Sequence, residues 1–169
     1  MKIIILLLAL CASVVYSQEL TYDQKIVAMT IVGEARGEGK LGMYAVGAVI
    51  AQRVIAWKKT PAQVCLKKSQ FSCWNPNDPN RAKLPKLLNT PEGEYAKYLA
   101  VHLYSLNRAH FGYADHYCHI KQNPYWIKGE KTIKVIKNHK FYKLRWNYDC
   151  FLARRGLHAA CQVSSGNFF

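Results

Sequence analysis

Acidic residues are scarce in this chain: of 169 residues, 10 are Asp or Glu, against 24 Lys or Arg. The sequence also lacks a Gly-rich phosphate-binding loop and a Gly-x-Ser-x-Gly nucleophile elbow, which argues against nucleotide chemistry and serine hydrolysis. Beyond the N-terminus it has no second long apolar run, no internal repeat and no low-complexity linker. The remainder of the chain therefore fits one compact domain.

The N-terminus is typical of an export signal. A basic start at Lys2 precedes an apolar run from Ile3 to Val15, which is too short to span a bilayer comfortably. Small residues near Ser17 suit a signal peptidase, so we predict a signal peptide over residues 1–17 and a mature domain over 18–169. The alternatives are an uncleaved anchor or a lipid anchor on Cys11, and Leu10 disfavours the second.

The formal net charge of +14 attracts polyanions. For an exported protein, anionic envelope polymers are better partners than nucleic acid, although a charge that serves solubility alone is the alternative. We expect a secreted or periplasmic protein, with no stable membrane insertion after the signal is removed.

Six cysteines are present, and Cys11 would leave with the signal. An exported protein can oxidise the others. Short loops would be closed by Cys65 with Cys73 and by Cys150 with Cys161, each bond contributing about 2–4 kcal/mol. Cys118 is then unpaired, although sequence alone does not establish the connectivity.

The first half of the mature chain has helical periodicity. Apolar residues recur on one face over residues 21–36, and residues 41–57 are apolar on nearly every side, which predicts a central core helix. The sequence Thr60-Pro61-Ala62-Gln63 predicts a capped short helix.

The second half is mixed. Residues 69–88 are rich in Asn, Asp and Pro and predict a long surface loop, and residues 90–108 predict another helix with Tyr95, Leu99, Leu103 and Leu106 inward. Residues 111–120 look extended, residues 131–137 alternate as an edge strand does, and a turn at Asn138-His139 precedes Phe141-Tyr142. The pattern predicts an α+β fold.

Four carboxylates have no obvious structural role: Glu34, Glu38, Asp115 and Asp149. Glu34 stands at the end of an apolar helical segment, and two glycines just downstream, Gly37 and Gly39, would let another segment approach closely. Apolar surroundings favour the protonated form of a carboxylic acid, which is the form that cleavage of a glycosidic bond needs. The structural alternative is a salt bridge from Glu34 to Arg36 or Arg53.

Residues 70–75, Gln-Phe-Ser-Cys-Trp-Asn, combine aromatic rings with amide and hydroxyl groups. Such mixtures suit sugars, because a ring face stacks on the indole while amides bind hydroxyls. The alternative is a tethered loop in which Trp74 covers the core.

Residues 115–119, Asp-His-Tyr-Cys-His, contain good zinc ligands, but their spacing fits no standard structural site. On a strand, His116 and Cys118 would share one face while His119 points away. We favour a polar strand that lines a cleft and expect no metal and no cofactor.

Several blocks together resemble the SleB-type (spore-cortex-lytic) cell wall hydrolases. They are Gly33–Glu38, Val46–Val54, Gln70–Asn75, Asp115–Tyr117, Asn123–Trp126 and Asn138–Tyr142, and the resemblance covers about residues 26–143. Two departures are Asp115, where relatives more often have a small or hydroxyl residue, and Lys137, where a glycine is usual before the Asn-His pair.

The resemblance implies a lysozyme-like fold, with a helical lobe and a small β-containing lobe in a single domain, and peptidoglycan as substrate. Glu34 falls on the family's catalytic acid, and Glu38 and Asp115 are candidate second acids. The motif positions expected to bind substrate are Gln70, Phe71, Trp74, His116, Tyr117, Asn138, His139 and Tyr142.

The expected reaction is that of a lytic transglycosylase, cutting between N-acetylmuramic acid and N-acetylglucosamine with Glu34 as general acid and base. The alternatives are a hydrolytic muramidase, an N-acetylmuramoyl-L-alanine amidase and a non-catalytic wall-binding module. We expect a monomer.

Overall fold

The computed structural model describes residues 19–144. The predicted signal peptide, Asp149 and the predicted Cys150–Cys161 bond therefore lie outside the described residues. The described part contains helices α1 to α5 and strands β1 to β3, in the order α1 (Tyr22–Ala35), α2 (Gly39–Trp57), α3 (Pro61–Cys65), α4 (Leu84–Leu87), α5 (Pro91–Val101), β1 (His116–His119), β2 (Lys134–Ile136) and β3 (His139–Tyr142). The expected α+β fold, with a helical lobe and a small β lobe, is confirmed.

Local capping signals set the starts of α1 and α3. The hydroxyl oxygen of Thr21 accepts a hydrogen bond from the backbone N–H of Gln24. The side-chain oxygen of Gln24 in turn accepts one from the backbone N–H of Thr21. Thr60 and Gln63 form the same reciprocal pair, with Pro61 at the first helical position. Both arrangements satisfy backbone donors that a helix start leaves free.

Helix α2 is the central helix that the sequence predicts. It packs against α1, α3 and α5, and its side chains are buried on several faces. Val46 and Ile50 join the main core formed with α1 and α5, whereas Ala45 and Val49 join a second core with Phe111 and Phe141 under the sheet. One helix thus ties the helical lobe to the β lobe.

Two boundaries differ from the prediction. The helix expected to reach residue 108 ends at Val101, and the chain continues through 3₁₀ turns at Leu103–Ser105 and Arg108–Phe111. Leu103 and Leu106 remain buried, so the apolar spacing persists after the helix has ended. The predicted loop over residues 69–88 also contains short helical turns, α4 among them.

The sheet has the order β1-β3-β2, with both pairs antiparallel, so β2 is the edge strand that the sequence predicts. Tyr117 lies opposite Phe141, and His116 lies opposite Tyr142. Because successive side chains point to opposite faces, Tyr117, His139 and Phe141 share the inner face, while His116 and Tyr142 share the outer one. Within residues 19–144, no helix combines the length and apolar character that a membrane crossing requires.

Candidate active site

Glu34 lies in the last turn of α1, half-buried, and its carboxyl group is held by three donors. The backbone N–H of Cys73 and the hydroxyl of Ser72 donate to Oε1 at 2.8 and 3.1 Å. The hydroxyl of Tyr117 donates to Oε2 at 2.8 Å. The surroundings of Glu34 are therefore polar, and the expectation of an apolar setting is wrong because two other segments bring donors to the end of the helix.

A glycine allows one of these segments to come so close. A Cβ atom on Gly33 would lie 2.9 Å from Cys73 Cβ and 2.7 Å from Leu84 Cδ2. Real side chains essentially never make such contacts, so the 72–74 turn can reach Glu34 only because residue 33 has no side chain.

Arg36 anchors the loop that follows. Its guanidinium group donates to the carbonyl oxygens of Val32 and Gly33 at the end of α1 and to Asn80 Oδ1 at 2.9 Å. Asp78 Oδ1 in turn accepts the backbone N–H of Asn80. Arg36 therefore holds the loop that carries Asn80, instead of forming the salt bridge with Glu34 that the structural alternative suggests.

Glu34 faces an open cleft of about 370 Å³ between the helical lobe, the 69–80 loop and the sheet. Of the residues predicted for the site, Glu34, Gln70, Tyr117 and His139 line this cleft. Its other lining residues are Gly33, Ser69, Ser72, Asn75, Asp78, Asn80, Cys118, His119 and Gln122. Most of them carry hydroxyl, amide, imidazole or carboxylate groups, which suits a ligand rich in hydroxyls.

His116 and Tyr142 do not line the cleft, which corrects the sequence prediction. Both are buried on the outer face of the sheet beneath Trp126, whose ring centroid lies 5.3 Å from that of His116 and 5.7 Å from that of Tyr142. Burial lowers the pKa of His116, and its hydrogen bond to Asp115 opposes this only in part. The alternation of side chains along β1 and β3 thus places Tyr117 and His139 on one face of the sheet and His116 and Tyr142 on the other.

Phe71 and Trp74 also belong to the core rather than to the cleft. Phe71 is 1% exposed, with the Arg53 guanidinium group over its ring. The indole N–H of Trp74 donates to the buried hydroxyl of Thr30 at 2.8 Å, and the ring packs against the main core. The structural alternative for Trp74, a ring that covers the core, is the arrangement found.

Glu38 holds the β2–β3 turn. Its Oε2 accepts the backbone N–H of Asn138 at 2.8 Å, and its Oε1 accepts the Asn138 side-chain amide at 3.2 Å. Burial acts to raise the pKa of Glu38, but the two bonds from Asn138, the positive charge of Lys137 and, in acid, that of protonated His139 outweigh it, so this pKa lies below its usual range. Asn138 is thereby committed to Glu38, and neither residue lines the cleft.

Asp115 forms hydrogen bonds around the start of β1 and none into the cleft. Its Oδ1 pairs with His116 Nδ1 at 2.8 Å and accepts the backbone N–H of Leu144, while its carbonyl oxygen accepts from Arg53 Nε. The structure thus places this candidate second acid outside the cleft. The carboxylate that does line the cleft beside Glu34 is Asp78, which the sequence assigns to a surface loop.

The predicted bond between Cys65 and Cys73 is not formed, and both thiols are free and buried. They behave as small core residues: Cys73 packs on Gly33, and Cys65 contacts Thr30. Burial raises the pKa of Cys65 to about 12 and raises the pKa of Cys73 as well, so both stay protonated and unreactive.

His139 has a distinct position in the cleft. Its ring lies 5.0 Å from the ring of Tyr117, and its Nδ1 is buried without a hydrogen-bond partner. Burial lowers the pKa of His139, against the opposing fields of Glu38 and Glu34, so the imidazole is neutral at pH 7. Among residues 19–144, no three His, Cys, Asp or Glu side chains come together in a way that could hold a metal ion.

Two comparisons with known proteins identify related cell wall hydrolases. The Cell Wall Hydrolase family model matches residues 37–142, a range that begins just after Glu34. The catalytic domain of the germination-specific lytic transglycosylase SleB from Bacillus anthracis is 27% identical, with a TM-score of 0.57 over 75% of this chain and 98% of that chain. The catalytic domain of the Bacillus cereus SleB protein is also 27% identical, with a TM-score of 0.56 over 72% of this chain and 89% of that chain.

A search of curated proteins finds no match. The family model nevertheless covers more than half of the chain, and both similar structures are aligned over most of their length. The chain therefore belongs to the SleB-type cell wall hydrolase family and is an enzyme of that class.

Proposed function

We propose that this enzyme cleaves the glycan strand of peptidoglycan between N-acetylmuramic acid and N-acetylglucosamine, as a lytic transglycosylase with Glu34 as general acid and then general base. The observation that carries the proposal is the carboxyl group of Glu34, held by three donors on the wall of an open polar cleft. The family assignment supports the substrate class, and the similar Bacillus anthracis protein is a lytic transglycosylase.

The proposed reaction needs one carboxyl group in two roles. Neutral Glu34 gives its proton to the glycosidic oxygen as the bond from that oxygen to the muramoyl anomeric carbon breaks. The muramoyl C6 hydroxyl then attacks the anomeric carbon, and the Glu34 carboxylate takes the hydroxyl proton. The products are a 1,6-anhydro-muramoyl end and a free N-acetylglucosamine hydroxyl, and Glu34 has regained its proton.

The cleft supplies groups that can orient the sugars. Gln70, Asn75 and Gln122 offer amides from two different segments, and His139 offers a neutral imidazole in the same cleft. Neutral donors and acceptors suit N-acetyl and hydroxyl groups. The excess of lysines and arginines would attract anionic envelope polymers to the protein at low salt.

Hydrolysis by a muramidase is the second candidate, because Asp78 lines the cleft with Glu34. A second carboxylate could activate water or stabilise the sugar cation, with the separation of the two groups determining the stereochemical outcome. Asp78 Oδ1 already accepts the Asn80 N–H, so this role would have to use its other oxygen.

The location of the reaction follows from the substrate. Peptidoglycan lies outside the cytoplasm, so we propose an extracytoplasmic enzyme exported by residues 1–17 as a signal peptide. Expression of the full chain, followed by N-terminal sequencing of the protein recovered outside the cytoplasm, checks this: a new terminus at Gln18 is expected, and an intact Met1 terminus would contradict it.

Mass spectrometry of purified peptidoglycan digested by the enzyme tests the reaction. The proposal predicts 1,6-anhydro-muramoyl ends, formed by the wild type and not by the Glu34→Gln variant. Reducing ends in place of anhydro ends would replace the transglycosylase by a muramidase. Released peptides with uncut glycan would indicate an amidase, and an unchanged wall with bound protein would indicate a binding module.

A further inference from the structure

The donors around Glu34 distinguish its two oxygens. Oε1 is bonded to the backbone N–H of Cys73, a group that can only donate. In a neutral carboxylic acid the carbonyl oxygen accepts an N–H bond more strongly than the hydroxyl oxygen does, so this bond favours Oε1 as the carbonyl oxygen. The acid proton of neutral Glu34 therefore belongs on Oε2, the oxygen bonded to Tyr117.

A tyrosine hydroxyl is suited to this second position. Unlike an N–H group, it can donate to a carboxylate and accept from a carboxylic acid by rotating about its C–O bond. Burial and the neighbouring Glu34 carboxylate raise the pKa of Tyr117 well above its ordinary value. The hydroxyl therefore keeps its own proton at physiological pH and can follow the charge of Glu34 without becoming a base.

The ring of Tyr117 is held in place by the sheet. It lies on the inner face opposite Phe141 in the register, with ring centroids 5.7 Å apart, and it also contacts Phe71 and His139. Because packing fixes the ring, the hydroxyl oxygen is a fixed point to which Glu34 Oε2 is bound.

We propose that Tyr117 is a positioning residue, whose hydroxyl selects Oε2 of Glu34 as the oxygen that carries the acid proton and aims that oxygen into the cleft. The hydroxyl accepts from Oε2–H in the resting acid. After the proton has moved to the glycosidic oxygen, the hydroxyl rotates and donates to the carboxylate. This inference rests on the proposed function, and it replaces the sequence-based expectation that Tyr117 binds substrate.

The test is the kinetics of Tyr117→Phe on a soluble peptidoglycan oligosaccharide, with kcat and KM measured across a range of pH. The substitution keeps the packed ring and removes only the hydroxyl. We expect kcat to fall by about tenfold or more while KM stays within a factor of about two, because a hydrogen bond to a charged group is lost and no substrate contact is lost. The alkaline limb of the kcat profile should move to higher pH, since the carboxylate loses a donor.

Two variants provide the controls. Tyr98→Phe removes an exposed hydroxyl on α5 and should leave kcat, KM and the alkaline limb unchanged. Ser72→Ala removes a hydroxyl donor to Oε1, where the Cys73 N–H remains, so its loss of kcat should be smaller than that of Tyr117→Phe. The melting temperature of each variant verifies that it is folded.

Three results would overturn the inference: an unchanged kcat and alkaline limb in Tyr117→Phe, a raised KM with kcat retained, or a loss in Ser72→Ala as large as that in Tyr117→Phe. Glu34→Gln is assayed in parallel. It shows whether only the role of Tyr117 is wrong or whether the proposed function itself is wrong. If Glu34→Gln is inactive and Tyr117→Phe behaves as the wild type, only the role of Tyr117 is wrong. If Glu34→Gln is fully active, the proposed function fails.

Discussion

Glu34 and Glu38 are close in sequence, yet the structure uses them in opposite ways. Glu34 is half-buried on the cleft wall and receives donors from the 72–74 turn and from β1. Glu38 is 9% exposed, and both of its oxygens are bonded to Asn138 at the β2–β3 turn. One carboxyl group faces space that a substrate can enter, and the other joins the helical lobe to the β lobe.

The donors explain why only one of the two suits proton transfer. Two of the groups bonded to Glu34 are hydroxyls, which can reverse their direction when the carboxyl group gains a proton. Glu38 is bonded to an amide NH₂ and a backbone N–H, which cannot. A proton on Glu38 would face one of these donors, and this agrees with its lowered pKa. The type of donor thus distinguishes Glu34, the proposed catalytic carboxyl group, from Glu38, whose bonds are structural.

The largest expected effect is that of Glu34→Gln. The amide cannot transfer a proton, so we expect the rate of wall lysis to fall by about 10²–10⁴-fold. The protein should remain folded and should still sediment with purified walls. Turbidity loss of a wall suspension measures the rate, and circular dichroism verifies the fold.

Glu38→Gln should have the opposite effects, a loss of stability with wall lysis largely retained. The variant replaces a charged acceptor by a neutral one and points an NH₂ group at Asn138, so we expect the free energy of unfolding at pH 7 to fall by about 1–3 kcal/mol. Wall lysis should be largely retained at temperatures where the variant is folded. Urea denaturation gives the free energy, and loss of activity without loss of stability would contradict the structural role of Glu38.

The wild type and the Glu38→Gln variant should also differ in how their stability depends on pH. Because the folded-state pKa of Glu38 lies below its ordinary value of 4.5, its contribution to stability is fully present above 4.5 and is lost as pH falls through the folded-state pKa. The stability difference between the wild type and Glu38→Gln should therefore shrink progressively below pH 4.5. A difference that stays constant far into the acid range would show that the ionised form of Glu38 contributes nothing.

Gly33→Ala tests the close approach of the 72–74 turn. The added methyl group would overlap Cys73 and Leu84, so the turn must shift away from Glu34. We expect a loss of about 1–3 kcal/mol in the free energy of unfolding, together with reduced lysis, because the Cys73 N–H leaves Oε1.

Gly37→Ala is the matched control, since a Cβ atom there would meet nothing within 4 Å. It should leave activity and stability nearly unchanged. Equal effects of the two substitutions would mean that the close approach at Gly33 is unimportant.

The smallest effect concerns the turn that Glu38 holds. Lys137 has a φ of +43°, in the left-handed region where a glycine is favoured. Lys137→Gly should raise the free energy of unfolding by up to about 1 kcal/mol, reduced by loss of the bond from Lys137 Nζ to the Gly37 carbonyl. Thermal unfolding measures the change, and a clear destabilisation would show that this bond outweighs the backbone strain.

Much of the fold can be predicted because its signals are local. The capping boxes at Thr21 and Thr60 and the nearly uniform apolar character of α2 each depend on residues a few positions apart. The end of α5 cannot be predicted in the same way, since Leu103 and Leu106 keep the helical spacing while lying in and after a 3₁₀ turn.

The site is predictable only in part, because it is assembled from distant segments. The motifs assign His116 and Tyr142 to the cleft together with Tyr117 and His139, and only the strand register separates the two faces. The sequence assigns residues 70–75 of the 69–88 loop to the site. Nothing in the composition of the loop places Asn80 over the end of α1, where Arg36 holds it, so the sequence does not assign Asp78 and Asn80 to the site.

Gly33 is a usable signal in the sequence, since a glycine beside a candidate acid indicates close approach of another segment. The structure shows which segment this is, the 72–74 turn. The sequence can therefore indicate that Glu34 has a close neighbour, but only the fold identifies the donors that the neighbour brings.

The most direct test of the account is a crystal structure of the Glu34→Gln variant with an uncut oligosaccharide of alternating N-acetylmuramic acid and N-acetylglucosamine. The account predicts that the side chain at position 34 lies within hydrogen-bond reach, about 3 Å, of the glycosidic oxygen that follows a muramoyl unit, while Glu38 remains bonded to Asn138 and away from the sugar. A glycan bound against Glu38, or bound with no glycosidic oxygen near position 34, would contradict it.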